Sequence, residues 1–139
     1  MKRDSTREYL QHRGASDRVV EGGLEGLVEN WEQVVDEVVK GYQLDLDSYL
    51  NDLDVRQLIE EVLSVAESTD TATLVERIAA ADRQMRTVVK PARKCLWGDR
   101  VALEAGWTPE QNWWYFSRPI SAGHELLADL ERTPDPLPQ

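Results

Sequence analysis

The sequence predicts an all-α protein, a bundle core of three helices followed by a C-terminal subdomain of short helices and an aromatic cluster. Three observations predict it. Apolar residues recur every three or four positions along three long segments, the period of a helix with one buried face. Proline and glycine then cut the later chain into short pieces, at Pro91, Gly98, Gly106, Pro109 and Pro119. Four of the five tryptophans fall between Trp97 and Trp114. A chain of 139 residues fits one domain, read as a weakly ordered segment at 1–15, the bundle at 16–90, the short-helix subdomain at 91–132 and a proline-rich tail at 133–139.

Residues 4–13 read as a short helix ending at Gly14, with only Tyr9 and Leu10 to bury. Ser16 is a suitable N-cap for the first long helix, about residues 17–40. Val20, Leu24, Leu27, Trp31, Val34 and Val38 form its apolar stripe. Gly22, Gly23 and Gly26 each weaken that helix by up to about 1 kcal/mol, which predicts fraying or a close backbone approach there. Gly41 ends it.

Asp45 or Asp47 caps the next element. Leu46, Leu50 and Leu53 define one face and Val55, Leu58, Ile59, Val62, Leu63 and Ala66 another. That change predicts a short helix, a kink near Asp54 and a second helix to about Glu67. A turn follows at 68–71. Thr73 and Glu76 have capping-box spacing, with Asp70 an earlier candidate cap. Leu74, Ile78, Ala81, Met85 and Val88 then make a third stripe, up to Val89.

Pro91 stops or kinks that helix. Residues 91–97 read as one or two helical turns closed by Gly98, and Asp99 caps a helix over 100–105 closed by Gly106. Thr108, Pro109 and Gln111 read as a further helix start. The run Trp113, Trp114, Tyr115 and Phe116 either continues it or forms a short strand, with a local two-stranded element as the main alternative. Ser121 caps a last helix through Leu126, Leu127 and Leu130 to about Arg132.

Net charge is −10 and is unevenly spread: +2 over residues 1–20, −12 over 21–70, +3 over 71–119 and −3 over 120–139. Such acidity opposes direct nucleic-acid or anionic-membrane binding, because phosphates are repelled. A lone cysteine, Cys95, allows no intrachain disulfide and suits a reducing compartment. No apolar leader follows the first residues and no stretch is long enough to cross a bilayer. The expected location is the cytoplasm.

Glu21, Glu25, Glu29, Glu32 and Asp36 are spaced four, four, three and four apart. At 100° per residue they fall within about 80° of arc, beside the apolar stripe. Like charges at that spacing repel by a few tenths of a kcal/mol per pair. Three readings compete. The row is a solvated face, or it is covered by the chain's own cations (Arg77, Arg83, Arg86, Lys90, Arg93, Lys94 and Arg100), or it docks a basic partner together with Asp45 and Asp47.

Catalytic and metal motifs are wanting. No Glu-x-x-His pair and no EF-hand loop is present, and His12 and His124 sit at opposite ends. Cys95 beside Arg93 and Lys94 also abuts Leu96 and Trp97, the setting of a small core residue. No phosphate loop or nucleophile elbow occurs. No cofactor, metal ligand or catalytic residue is assigned. Adjacent aromatic residues on a helix point to different faces, so Trp113, Trp114 and Tyr115 cannot all pack on one neighbour. At least one of them should be exposed or face a pocket. Trp107, Trp113 and Trp114 are candidates for a pocket or interface, with Arg100 and Arg118 as ring-stacking or anion-contacting partners.

The leading expectation is an acidic, non-enzymatic protein-binding module that recognises and inhibits a basic protein partner, as an antitoxin, immunity protein, anti-defence inhibitor or regulator would. The alternatives are a small-molecule enzyme or sensor using the aromatic subdomain, and a homo-oligomer pairing acidic with basic helices.

Overall fold

The Ser16 hydroxyl accepts a hydrogen bond from the Val19 amide at 3.4 Å, answering one of the N–H groups that a helix start leaves unpaired. From this cap runs the longest helix of the computed structural model, which describes residues 5–65, 72–92 and 94–132. Its elements are α1 (Ser5–His12), α2 (Asp17–Val39), α3 (Leu46–Val65), α4 (Ala72–Val88), β1 (Val89–Pro91), α5 (Asp99–Ala105), β2 (Ser117–Pro119) and α6 (His124–Arg132). The three-helix core is α2 packed on α3 and α4, and α1 lies across α2 and α3. Leu10 anchors α1 and is fully buried, so the N-terminal stretch is tied to the bundle despite its few apolar residues.

Every residue of the predicted α2 stripe is buried, and Val28 and Val35 are buried with them. Those two fall between the stripe and the acidic row. The glycines do not mark a close approach: no atom lies within 4 Å of where a Cβ would stand on Gly22, Gly23 or Gly26. Instead Gly23, at φ 60° and ψ −155°, breaks the helical path inside α2. Gly41 ends α2 with φ +98°. Beyond it the Gly123 amide donates to the Tyr42 carbonyl at 2.5 Å and ties the start of α6 to this corner.

The kink expected near Asp54 is absent, and α3 is one helix. Its two apolar faces serve different neighbours, because α3 touches α1, α2, α6 and the Trp113–Phe116 turn. Asp45 is the cap: its Oδ1 accepts from the Ser48 amide at 3.0 Å, and that bond holds its carboxyl below the usual carboxylate range. The expected turn at 68–71 and the Asp70 cap lie outside the described residues. Because α4 already begins at Ala72, Thr73 and Glu76 sit within its first turns and form no capping box. Ile78, Ala81 and Met85 are buried along its stripe.

Beyond α4 the sequence reading needs correction. Residues 89–91 form a strand paired antiparallel with β2, in the register Val89 to Pro119, Lys90 to Arg118 and Pro91 to Ser117. The predicted helical turns over 91–97 are replaced by this strand and a turn ending at Gly98, whose φ is +109°. Asp99 is the first residue of α5 and not its cap. Thr108 closes a single turn, accepting from the Gln111 amide at 3.1 Å, and no helix continues. Trp113–Phe116 is a 3-10 turn leading into β2. Ser121 lies three residues before α6 and does not cap it. The tail at 133–139 lies outside the described residues.

Candidate functional site

The acidic residues of the middle of the chain divide into two groups with different work. Those on the inner sides of α3 and α4 hold polar groups of the core. Asp82 accepts from Trp31 Nε1 at 2.9 Å and pairs with Arg56 at 3.0 Å. Arg56 is 6% exposed, reaches Glu60 at 3.4 Å and lies 4.4 Å over the Trp114 ring. Glu61 takes hydrogen bonds from Tyr9 at 2.5 Å, Arg13 at 2.8 Å and Gln57 at 3.1 Å. Burial pushes its carboxyl up, but those three donors together bring it below the ordinary value. Asp52 accepts from Tyr42 and Asp54 from Tyr115, each at 2.5 Å. Burial raises Asp52 above its ordinary value against the pull of that hydroxyl. Each of these carboxylates satisfies a donor that would otherwise be costly inside the fold.

The second group lies on the outer side of α2. Glu21, Glu25 and Glu29 are exposed, and their carboxylates have no hydrogen bond or ion pair among the described residues. Glu32 is bound twice by Arg77 of α4, at 2.5 and 3.1 Å, which pulls its carboxyl below the usual range. Asp36 pairs with Lys40 at 2.8 Å, with both side chains well exposed. Arg77 also feels Glu29 and Glu25 through space. Exposed pairs of this kind add little to stability, because solvent screens them. Cover by the chain's own cations is therefore partial. Arg77 reaches the row, whereas Arg86 lies 4.2 Å over the Trp113 ring and Arg100 pairs with Glu104 at 3.6 Å on α5. Arg93 lies outside the described residues. Asp47 is exposed in the first turn of α3, and Asp45 is committed to its cap.

The aromatic residues build a third feature. Trp113, Trp114 and Tyr115 are 8%, 1% and 1% exposed, each against a different neighbour. Arg86 covers the first, Arg56 the second, and Trp107 stacks on the third at 4.1 Å and 23°. A 3-10 turn between a loop and a strand can be enclosed from several sides, as an exposed helix cannot. Tyr115 alone of the three reaches a wall of a cleft of about 510 Å³. Trp97, Trp107 and Val101 form the other apolar walls and Leu58 adds to them, while Arg13, Asp54 and Gln57 bring the polar groups. Of the residues expected at a pocket, only Trp107 lines this one. Trp113 and Trp114 belong to the core, Arg100 is on the surface of α5, and Arg118 sits in β2 with its Nε buried and without a hydrogen-bond partner among the described residues.

Sequence reasoning passed over Arg56, Asp82 and Trp97, and counted Asp54 with the acidic loop from Asp45 to Asp54 beside the docking face. One signal was present: Arg56 is the one cation between Lys40 and Arg77, set in an apolar run, which is where a buried partner for a carboxylate belongs. Cys95 is buried, and burial raises its thiol above the ordinary value, the environment of an inert cysteine. Among the described residues no three His, Cys, Asp or Glu side chains are placed to share a metal ion, and no helix is long and apolar enough to cross a membrane. Compared with known proteins, the chain matches no family model, no curated sequence and no solved structure.

Proposed function

We propose that the chain is a non-enzymatic acidic binding protein that docks a basic protein partner on the outer face of α2 and blocks it. The observation that carries this reading is the open row Glu21, Glu25 and Glu29, three exposed carboxylates on successive turns with no hydrogen bond or close ion pair among the described residues, Arg77 acting on Glu25 and Glu29 only through space. Holding like charges in line opposes the helix slightly. Arg77 is paired with Glu32, Asp36 with Lys40, and Arg7 donates to the Glu21 backbone carbonyl at 3.0 Å, which leaves the carboxylates of Glu21, Glu25 and Glu29 to solvent. Asp36, Glu37 and Gln33 continue the face toward the end of α2, beside Lys40. Asp47 is a peripheral member, and Asp45 drops out because its carboxylate is spent on the backbone.

A row of this kind attracts lysine and arginine side chains and speeds their encounter. It imitates a phosphate backbone, so a protein that grips nucleic acid through cations is the class of partner it suits. A cytoplasmic setting fits the single buried thiol. The experiment is a titration of the protein with a short lysine-rich peptide, followed by backbone amide shifts. The expected result is a set of shifts concentrated on α2 around Glu21, Glu25 and Glu29, weakening steeply with added salt. Shifts centred elsewhere, or binding indifferent to salt, would remove the reading.

A further inference from the structure

We infer that the cleft between Trp97 and Trp107 is a binding site for a weakly hydrated organic cation, an alkylated ammonium head group. The inference is separate from the α2 face, because the cleft is built by the end of α1, by α3, by α5 and by the 107–115 segment. Its polar inventory decides the sign of the ligand. Arg13, with its side chain half exposed, is paired with Glu61 at 2.8 Å, so a carboxylate already answers its charge. Gln57 donates to Glu61 through Nε2 and accepts from Asn112 through Oε1, so both ends of its amide are taken. Asp54 differs. Tyr115 and Trp97 both donate to its Oδ1, at 2.5 and 3.1 Å, and its Oδ2 accepts nothing among the described residues. No ion pair reaches Asp54 from those residues either. The cleft therefore presents one uncompensated charge, and it is negative.

The walls agree with that sign. Trp97 and Trp107 line the space, with Tyr115 stacked against Trp107 behind it, and an aromatic face is the negative end of a ring's quadrupole. An alkylated ammonium loses little hydration on entering such a site, whereas a bare ammonium loses more. The volume of about 510 Å³ holds a small head group with room for a chain leaving toward solvent. Trp97, 37% exposed, and Val101, 38% exposed, are the lining residues with the most exposed apolar surface. The field of a chain with net charge −10 favours a cation further.

The test is a titration of the full chain with choline, read by tryptophan fluorescence and by isothermal calorimetry. The neutral carbon isostere of choline, with a tert-butyl group in place of the trimethylammonium, serves as the comparison. Choline is expected to bind saturably in the millimolar range or tighter, and its isostere more weakly. Asp54→Asn keeps an oxygen to accept from Tyr115 and Trp97 while removing the charge, and should weaken choline by about threefold or more. Trp97→Ala should weaken it by a similar factor, about threefold, through loss of one ring face. Reversing Glu21, Glu25 and Glu29 to lysine should leave a saturable choline site in place, which separates this inference from the docking reading. Equal binding of the isostere, undiminished binding by folded Asp54→Asn or Trp97→Ala, or no saturable response to choline would overturn it.

Discussion

Replacing Asp82 by alanine should be among the most damaging single substitutions in the chain, because one carboxylate joins three helices. Asp82 belongs to α4, receives the indole N–H of Trp31 from α2 and holds the guanidinium of Arg56 from α3. The Arg56 side chain is 7% exposed and that of Asp82 17%, so solvent does little to replace the lost partner. Breaking a buried pair from one side costs about 3–5 kcal/mol. An orphaned indole N–H adds about 1–3 kcal/mol when nothing else reaches it. Glu60, 3.4 Å from Arg56 and half exposed, recovers part of the loss. The net expectation is about 3–5 kcal/mol, against a total stability of about 5–15 kcal/mol for a domain. Urea unfolding followed by far-UV circular dichroism measures it, as a fall in midpoint at unchanged slope. Substituting both partners, Arg56→Met with Asp82→Leu, removes the charges together and should cost less than the sum of the two single changes by about 2 kcal/mol or more. A loss below about 1 kcal/mol for Asp82→Ala, or strict additivity in the double variant, would refute the claim that this network pins the bundle.

Two further outcomes follow from the same structure. Gly22→Ala and Gly26→Ala should each stabilise by up to about 1 kcal/mol, because both positions are open and helical, whereas Gly23→Ala should destabilise by about 1–3 kcal/mol, because its φ of 60° with ψ −155° suits glycine alone; thermal melts of the three variants decide it. The pH response divides by sign. Glu61 is depressed in the fold, so the stability it contributes is complete above the unfolded glutamate value of about 4.3 and is lost as pH falls through the lower folded value, and Glu61→Gln should flatten that acid limb. Asp52 is raised, so the fold loses stability on its account as pH rises from about 3.9 to the folded value, and Asp52→Asn, which still accepts from Tyr42, should gain on the parent chain across that window.

The first two-thirds of the fold were legible because a helix with one buried face writes its period into the chain. Val20 to Val38 on α2 and Ile78 to Met85 on α4 are such rows, and Ser16 and Gly41 stand at the ends of α2 as local chemistry requires. The pattern misled at α3. A helix enclosed by four neighbours buries residues on more than one face, and the shift from Leu46, Leu50 and Leu53 to Ile59 and Val62 looked like a kink. Beyond Pro91 the elements are too short for periodicity to speak. Pairing of Val89–Pro91 with Ser117–Pro119 spans a separation that no local signal encodes. The acidic row was visible as spacing, but its division was not. Whether a glutamate meets Arg77 or water depends on how α4 lies against α2, and that is decided by packing. The cleft was hinted at by the density of tryptophan alone. Its selecting residue, Asp54, looked like one more surface carboxylate until Tyr115 and Trp97 were seen to converge on one of its oxygens.

The central functional claim is that position on α2, and not bulk acidity, makes the docking surface. Two triple variants with the same net charge separate the two. One carries Glu21→Lys, Glu25→Lys and Glu29→Lys; the other carries lysine at the exposed Glu104, Glu110 and Glu131. Each moves the net charge of −10 by +6, to −4. Calorimetric titration with the lysine-rich peptide should detect binding to the second variant close to that of the parent chain and none to the first. Equal loss in both, or retention by the α2 variant, would contradict the account.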